Sequence, residues 1–312
     1  MVASEPRHSS APRRKSIGTQ IDETTGREQP PRSTRMRLAA LSGRSCLVGQ
    51  SSFLDVETAS RGRFGPDPMN AFSDWSAFRD WASDQNPTTG DPYQRAHLTC
   101  PVPSPSQIFA IGLNYRAHAD ESAMDIPEQP MVFTKFPSAL SGPCDDIPLV
   151  PGSCDWEVEL VLVIASTGRN FKDIDVEGCV AGLTVGQDLS ERDRQLAGTN
   201  AQFNLAKSHR GFAPIGPEVV TLDEFDNPWD LEIRCEWNGV TVQHARTSQL
   251  IHDIPSLIVY LSSICELRAG DLVFTGTPSG VGFARTPPEY LEPGDVLTST
   301  IQGIGTLENR CQ

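Results

Sequence analysis

Short apolar runs alternate with Gly, Pro and Asp turns along most of the chain, a pattern that predicts many short strands and few helices. From Met36, MRLAALSGRSCLVG predicts two short strands around a glycine-containing turn. Residues 71–84, AFSDWSAFRDWASD, place Phe72, Trp75, Phe78 and Trp81 three apart, the spacing of one amphipathic helix. The proline-rich HLTCPVPSPSQ then closes a small N-terminal unit, residues 36–100. Within residues 101–312, VELVLVIAS (158–166), DLEIRCEWNG (230–239) and GDLVFTGTPSGVG (270–282) predict strands. IHDIPSLIVYLSSICEL (251–267) predicts a helix that is apolar nearly all round and therefore buried. The expected class is mostly β with α, an α+β fold, without internal repeats.

Residues 1–35 carry no such periodicity. They hold seven basic residues, four acidic ones and much Ser, Thr and Pro, which predicts a disordered extension. An Arg- and Ser-rich start can direct a protein to an organelle, but the acidic residues and the missing amphipathic pattern argue against it. The net charge of −14 argues against a nucleic-acid partner, which needs clustered Lys and Arg. No apolar run approaches the roughly 18 residues of a membrane span. None of the eight cysteines forms a CxxC pair, so thiolate zinc is not expected. Reduced thiols in a cytoplasmic-type compartment fit this pattern.

The strongest chemical signal is Asp155-Trp156-Glu157-Val158-Glu159, because period two would put all three acids on one strand face. The run enters Leu160–Ile164, which is apolar on both faces. Carboxylates at the mouth of such a strand are costly unless paired or bound to a cation. Oxygen-only ligands suit Mg²⁺ or Mn²⁺, and Ca²⁺ would accept them too. A third acid is expected at Asp188, where AGLTVGQDLSERDRQ passes from apolar to charged; Glu191 and Asp193 read as surface charges of a helical turn. His118 and Glu121 are three apart, so a short helix would set them side by side as an oriented base, although a surface pair has the same spacing. Lys207 reads as a surface lysine before a turn or as a stabiliser of a developing oxyanion. His209 and Arg210 read as solvated turn residues. Thr275–Gly282 lacks the Lys-Ser/Thr of a phosphate loop and reads as a tight turn lining a pocket.

Taken in order, IGLNYRAHADE, PMVFTKFPSALSGP, DWEVELVLVI, AGLTVGQDLSERDRQ, AKSHRGFAPIGP, GDLVFTGTPSGVG and LEPGDVLTSTIQGIGTLENR resemble the fumarylacetoacetate hydrolase family over about residues 101–312, with a weaker match over 36–100. The short form is similar to the acylpyruvase and oxaloacetate decarboxylase branch. The resemblance implies a mixed β-roll, a homodimer, and Mg²⁺ or Mn²⁺ on Glu157, Glu159 and Asp188. It implies a structural role for Asp155 and a water-activating lid carrying His118 and Glu121. It places Lys207, Gln195, Thr277, Tyr115 and Arg192 at the substrate. The implied substrate is a small dicarbonyl acid, and the implied reaction is hydrolysis of the carbon–carbon bond of an acylpyruvate-like β-diketo acid. Decarboxylation of an oxaloacetate-type β-keto acid and isomerisation or hydration of an unsaturated keto acid share the same enolate. A metal-binding protein without catalysis is the remaining alternative. After Lys-Ser, many relatives carry an aromatic residue and Asp, whereas this chain has His209-Arg210, which leaves the substrate open.

Overall fold

Val158–Ile164 and Val180–Gln187 are buried on both faces, so each needs a packed layer on either side. They pair antiparallel, with Glu159 opposite Gly186 and Leu162 opposite Leu183. Period two sends Leu160, Leu162 and Ile164 into one core and Val161 and Val163 into another. Around this pair lies a 12-stranded sheet. Within it Leu272–Phe274 runs antiparallel to Val158–Ile164 and parallel to Ile108–Gly112. The first core is closed by a four-stranded sheet and by the helix Ile254–Ile264, through residues such as Ile233, Leu297, Leu257 and Leu261. The mostly-β, α+β architecture expected from the sequence is the one observed. The computed structural model describes residues 35–126 and 128–312; nearly all of the extension expected over residues 1–35 lies outside the described residues.

The hairpin expected after Met36 forms from Arg37–Leu41 and Arg44–Val48. Gly43, at φ 79°, makes its tight turn. The boundary expected at residue 100 does not separate two bodies. Arg37–Leu41 pairs with Ala213–Val220 in the large sheet, Leu38 opposite Val219. Leu38, Phe72, Trp75 and Phe78 share the second core with Val161, Val163 and Phe274. The sheet face that needs covering takes its cover from the N-terminal residues, so both segments make one core.

The helix expected over 71–84 is two helices, Asn70–Ser73 and Trp75–Ala82. Asp74 ends the first and caps the second, accepting from the Ala77 N–H at 3.1 Å. The aromatic stripe survives the break: Phe72–Trp75, Trp75–Phe78 and Phe78–Trp81 centroids are 5.4, 5.8 and 5.6 Å apart. The helix of 251–267 spans Ile254–Ile264, starts on an Asp253 cap and is buried along one stripe only, with Ile264 exposed. Of 270–282, only Leu272–Phe274 is strand; the irregular turn that follows it reaches the site.

Phe78 is fully buried. Phe78→Ala should therefore destabilise the whole chain by about 3–5 kcal/mol in urea unfolding, in one transition. A separate early transition, or a change under about 1 kcal/mol, would show that residues 36–100 pack independently.

Candidate functional site

Asp188 follows the last residue of Val180–Gln187, and Glu157 and Glu159 flank Val158 at the start of the partner strand. The Gln187 side chain accepts from the Glu157 N–H at 2.8 Å, and the Glu157 carbonyl accepts from the Asp188 N–H at 2.9 Å. These two bonds hold the acids at one end of the sheet. Glu157, Glu159 and Asp188 are all buried and offer one carboxylate oxygen each within 4.8 Å of one another.

Two lysines face this cluster. Lys207 Nζ donates to Glu157 Oε2 at 2.7 Å, to Asp188 Oδ2 at 2.8 Å and to Ser190 Oγ at 2.8 Å. Lys135 Nζ donates to Asp188 Oδ1 at 2.7 Å and to the Lys207 carbonyl. Burial pushes the Glu157 carboxyl up, but Lys207, Arg192 and His118 outweigh it and hold it at about 2. Glu159 goes the other way: burial, then Asp188, then Glu157 push its carboxyl well above the ordinary value. Its Oε2 accepts from the Gly276 N–H at 2.7 Å. Gly276 sits at φ 106°, and a Cβ there would press on Asn114, so the turn that reaches Glu159 needs glycine. An oxygen-only donor set with one carboxyl held up by its like-charged neighbours fits a hard divalent cation.

Asp155 does not join the acids, which corrects the expectation of one continuous face. Cys154–Asp155 pairs with Ser190–Glu191 as a separate ladder, and regular pairing to the large sheet resumes at Val158. Asp155 Oδ2 lies 2.7 Å from Arg192 Nη2, and Asp155 also accepts from the Gly282 and Phe283 N–H groups. It anchors the 275–283 turn, while Arg192 Nη2 reaches on to Glu157 Oε1 at 2.7 Å. Arg192 Nη1 donates to Gln195 Oε1 at 2.8 Å.

The segment Arg116–Glu121 is a short helix, so the spacing of three does place His118 beside Glu121. His118 Nδ1 lies 2.7 Å from Glu121 Oε1. With a carboxylate there, Nδ1 is the nitrogen that donates to Glu121, and Nε2 is the ring nitrogen not taken up by that contact. Glu121 Oε2 in turn accepts from the Gly280 N–H at 2.8 Å, which fastens this helix to the turn that also touches Glu159. His118 is buried, and it is close enough to Glu157 to lower that carboxyl.

One cavity brings these groups together. Its lining includes His118, Glu157, Glu159, Arg192, Gln195, Lys207 and Thr277. Asp188 does not line it but accepts from Lys207, which does. Thr277 Oγ1 donates to the Val158 carbonyl and accepts from Gln243, so it shapes the wall. Tyr115 is buried near Glu159 and does not line the cavity. His209 and Arg210 do not line it either. Glu191, expected at the surface, is buried: it caps Arg192–Gln195 through the Asp193 and Arg194 N–H groups. Lys135 escaped the sequence reading, although it stands at the end of the apolar run MVFT, the same signal that marked Asp188. Gln187, Ser190 and the aromatic wall of Phe133, Phe203 and Phe283 carry no sequence pattern of their own.

Fold and site together define a mixed β-roll with buried carboxylates and a His–Glu pair in one cavity. The model of the fumarylacetoacetate (FAA) hydrolase C-terminal family matches residues 107–312. The chain belongs to the fumarylacetoacetate hydrolase family. Oxaloacetate tautomerase FAHD2A, mitochondrial, from Bos taurus is 38% identical over 221 residues, 70% of each chain. A solved structure from Mycobacterium smegmatis, named for HpcE, is 52% identical with TM-score 0.84 and covers 88% of this chain and 99% of its own. Maleylpyruvate hydrolase from Sphingobium sp. SYK-6, in complex with manganese(II) ion and pyruvate, is 29% identical with TM-score 0.74, covering 88% and 98%. A keto-acid transformation is what these relatives have in common with the site.

Proposed function

We propose that the chain is a divalent-metal-dependent hydrolase that cleaves the carbon–carbon bond of an acylpyruvate-like 2,4-dioxo acid. The carrying observation is the His118–Glu121 pair, fastened to Gly280 over the carboxylates of Glu157 and Glu159 in one cavity. Mg²⁺ or Mn²⁺ would be held by Glu157, Glu159 and Asp188, and when bound supplies the electron sink for the 2-oxo acid end. The manganese and pyruvate of the maleylpyruvate hydrolase support this choice.

His118 Nε2 takes a proton from water as its oxygen adds to the C4 carbonyl. Glu121 holds the imidazole and offsets its charge while protonated. The C3–C4 bond then breaks, and its electron pair passes to the pyruvyl fragment as the enolate. Lys207, at the cavity wall, faces that negative charge. The imidazolium returns its proton to C3, giving pyruvate and a carboxylic acid, which loses its own proton to solvent. Thr277 and Gln195 hold the walls against which the substrate lies. A reducing compartment is in keeping with the chain's eight free cysteines, and a homodimer is what the family resemblance implies.

A second reading is tautomerisation of a β-keto acid, favoured by the name and 38% identity of the bovine relative. It uses the same base to move one proton between C3 and the C2 oxygen, with no water consumed. Incubation with acetylpyruvate separates the two. Hydrolysis gives acetate and pyruvate in equal amounts; enol–keto exchange alone, with no acetate, would leave tautomerisation as the function.

A further inference from the structure

We infer that the distal end of the substrate is uncharged and apolar, so that the site prefers monocarboxylate 2-oxo acids with a hydrocarbon tail to dicarboxylates. The inference deepens the reading of a 2-oxo acid site and rests on it. Away from the acids, the cavity is lined by Leu113, Met124, Met131, Phe133, Leu196 and Phe203. Phe133 and Phe203 lie tilted against each other with centroids 5.4 Å apart, and Phe133 also covers Lys207 Nζ at 5.2 Å. Met124 and Leu196 are 40% and 45% exposed, so this apolar wall runs out to the rim. A tail along it would shed water from wall and ligand together.

The charges point the same way. Among the described residues lining the cavity, the cationic side chains are Arg192 and Lys207. Arg192 is held by Asp155 and Glu157, and Lys207 by Glu157 and Asp188. A second substrate carboxylate would have to compete with these protein carboxylates for either cation. The three acids exceed Lys135 and Lys207 by one negative charge; a divalent cation turns this into one positive charge, which the C1 carboxylate of a 2-oxo acid cancels. The Arg192–Asp155 pair adds nothing to the balance, and Glu121, bonded to His118 Nδ1, adds a further negative charge. A distal carboxylate would enter an apolar wall unpaired, which is strongly unfavourable. The bovine relative is named for a dicarboxylate, oxaloacetate, so this chain would differ from it in the group at the far carbon.

The test is calorimetric titration of the full chain in Mn²⁺ with pyruvate, 2-oxobutanoate, 2-oxopentanoate, 2-oxohexanoate and 2-oxoadipate. Affinity should rise roughly four-fold per added methylene. 2-Oxohexanoate should bind at least about ten-fold more tightly than 2-oxoadipate, which has the same backbone with a terminal carboxylate. Leu196→Arg, at a rim position that tolerates a long polar side chain, should remove or reverse that preference. Equal or tighter binding of 2-oxoadipate by the unaltered chain overturns the inference and leaves the 2-oxo acid reading standing. Absence of binding by every member of the series overturns both.

Discussion

Treatment with EDTA should abolish turnover and lower the melting temperature, and Mg²⁺ or Mn²⁺ should restore both. Glu157, Glu159 and Asp188 converge within 4.8 Å in a buried site, and the two lysines offset only part of their repulsion. A ligand that binds the folded chain alone at 100 times its Kd adds about 2.7 kcal/mol of stability, a shift of several degrees. The gain should grow with pH. The raised Glu159 carboxyl contributes stability that is fully present below its ordinary value of 4.5 and lost as pH rises through the elevated one. A cation replaces that proton, so across a pH series of melting curves the difference between metal-bound and metal-free protein should be larger on the alkaline side of that elevated value than on its acid side. Glu159→Ala should reduce turnover on the order of 10³-fold or more, since a bound metal supplies several kcal/mol of charge stabilisation. Metal-free protein that turns over at the full rate would remove the triad from the mechanism.

His118→Ala should slow acylpyruvate hydrolysis by roughly 10²–10⁴-fold, the contribution of a positioned base to such a step. Its effect on decarboxylation of a β-keto acid should be much smaller, because no water is deprotonated there. Glu121→Gln should fall between: the amide can still accept from the Gly280 N–H, but it no longer offsets the imidazolium. Circular dichroism and melting curves for each variant distinguish lost chemistry from lost structure. Wild-type hydrolysis by His118→Ala would return His118 to the status of an ordinary helix histidine.

The parts of the site that announce themselves in the sequence are those with a local period. Glu157 and Glu159 are two apart at the head of an apolar strand, His118 and Glu121 three apart on a helix, and Asp188 closes an apolar run. Each of these was legible because its neighbours state which element carries it. Asp155 obeyed the same period and was misplaced, because the strand breaks at Trp156–Glu157, where Gln187 substitutes a side-chain bond for the ladder. No local pattern encodes that switch. Lys135 lies 53 residues from its partner Asp188, so its role depends on a long-range contact. The same holds for the aromatic wall, in which Phe133 and Phe203 meet from separate parts of the chain. The helix break at Asp74 shows a milder failure: the aromatic spacing of three was right, but Asp74, inside the single helix expected over 71–84, ends one helix and caps the next.

The central claim is that the three carboxylates form one cation site beside the His118–Glu121 pair. Anomalous diffraction from crystals grown with Mn²⁺ measures this directly. The expected result is one strong peak within about 2.0–2.4 Å of oxygens from Glu157, Glu159 and Asp188, lost in Glu159→Ala. A peak elsewhere, or none at this cluster with Mn²⁺ present and activity intact, would contradict it.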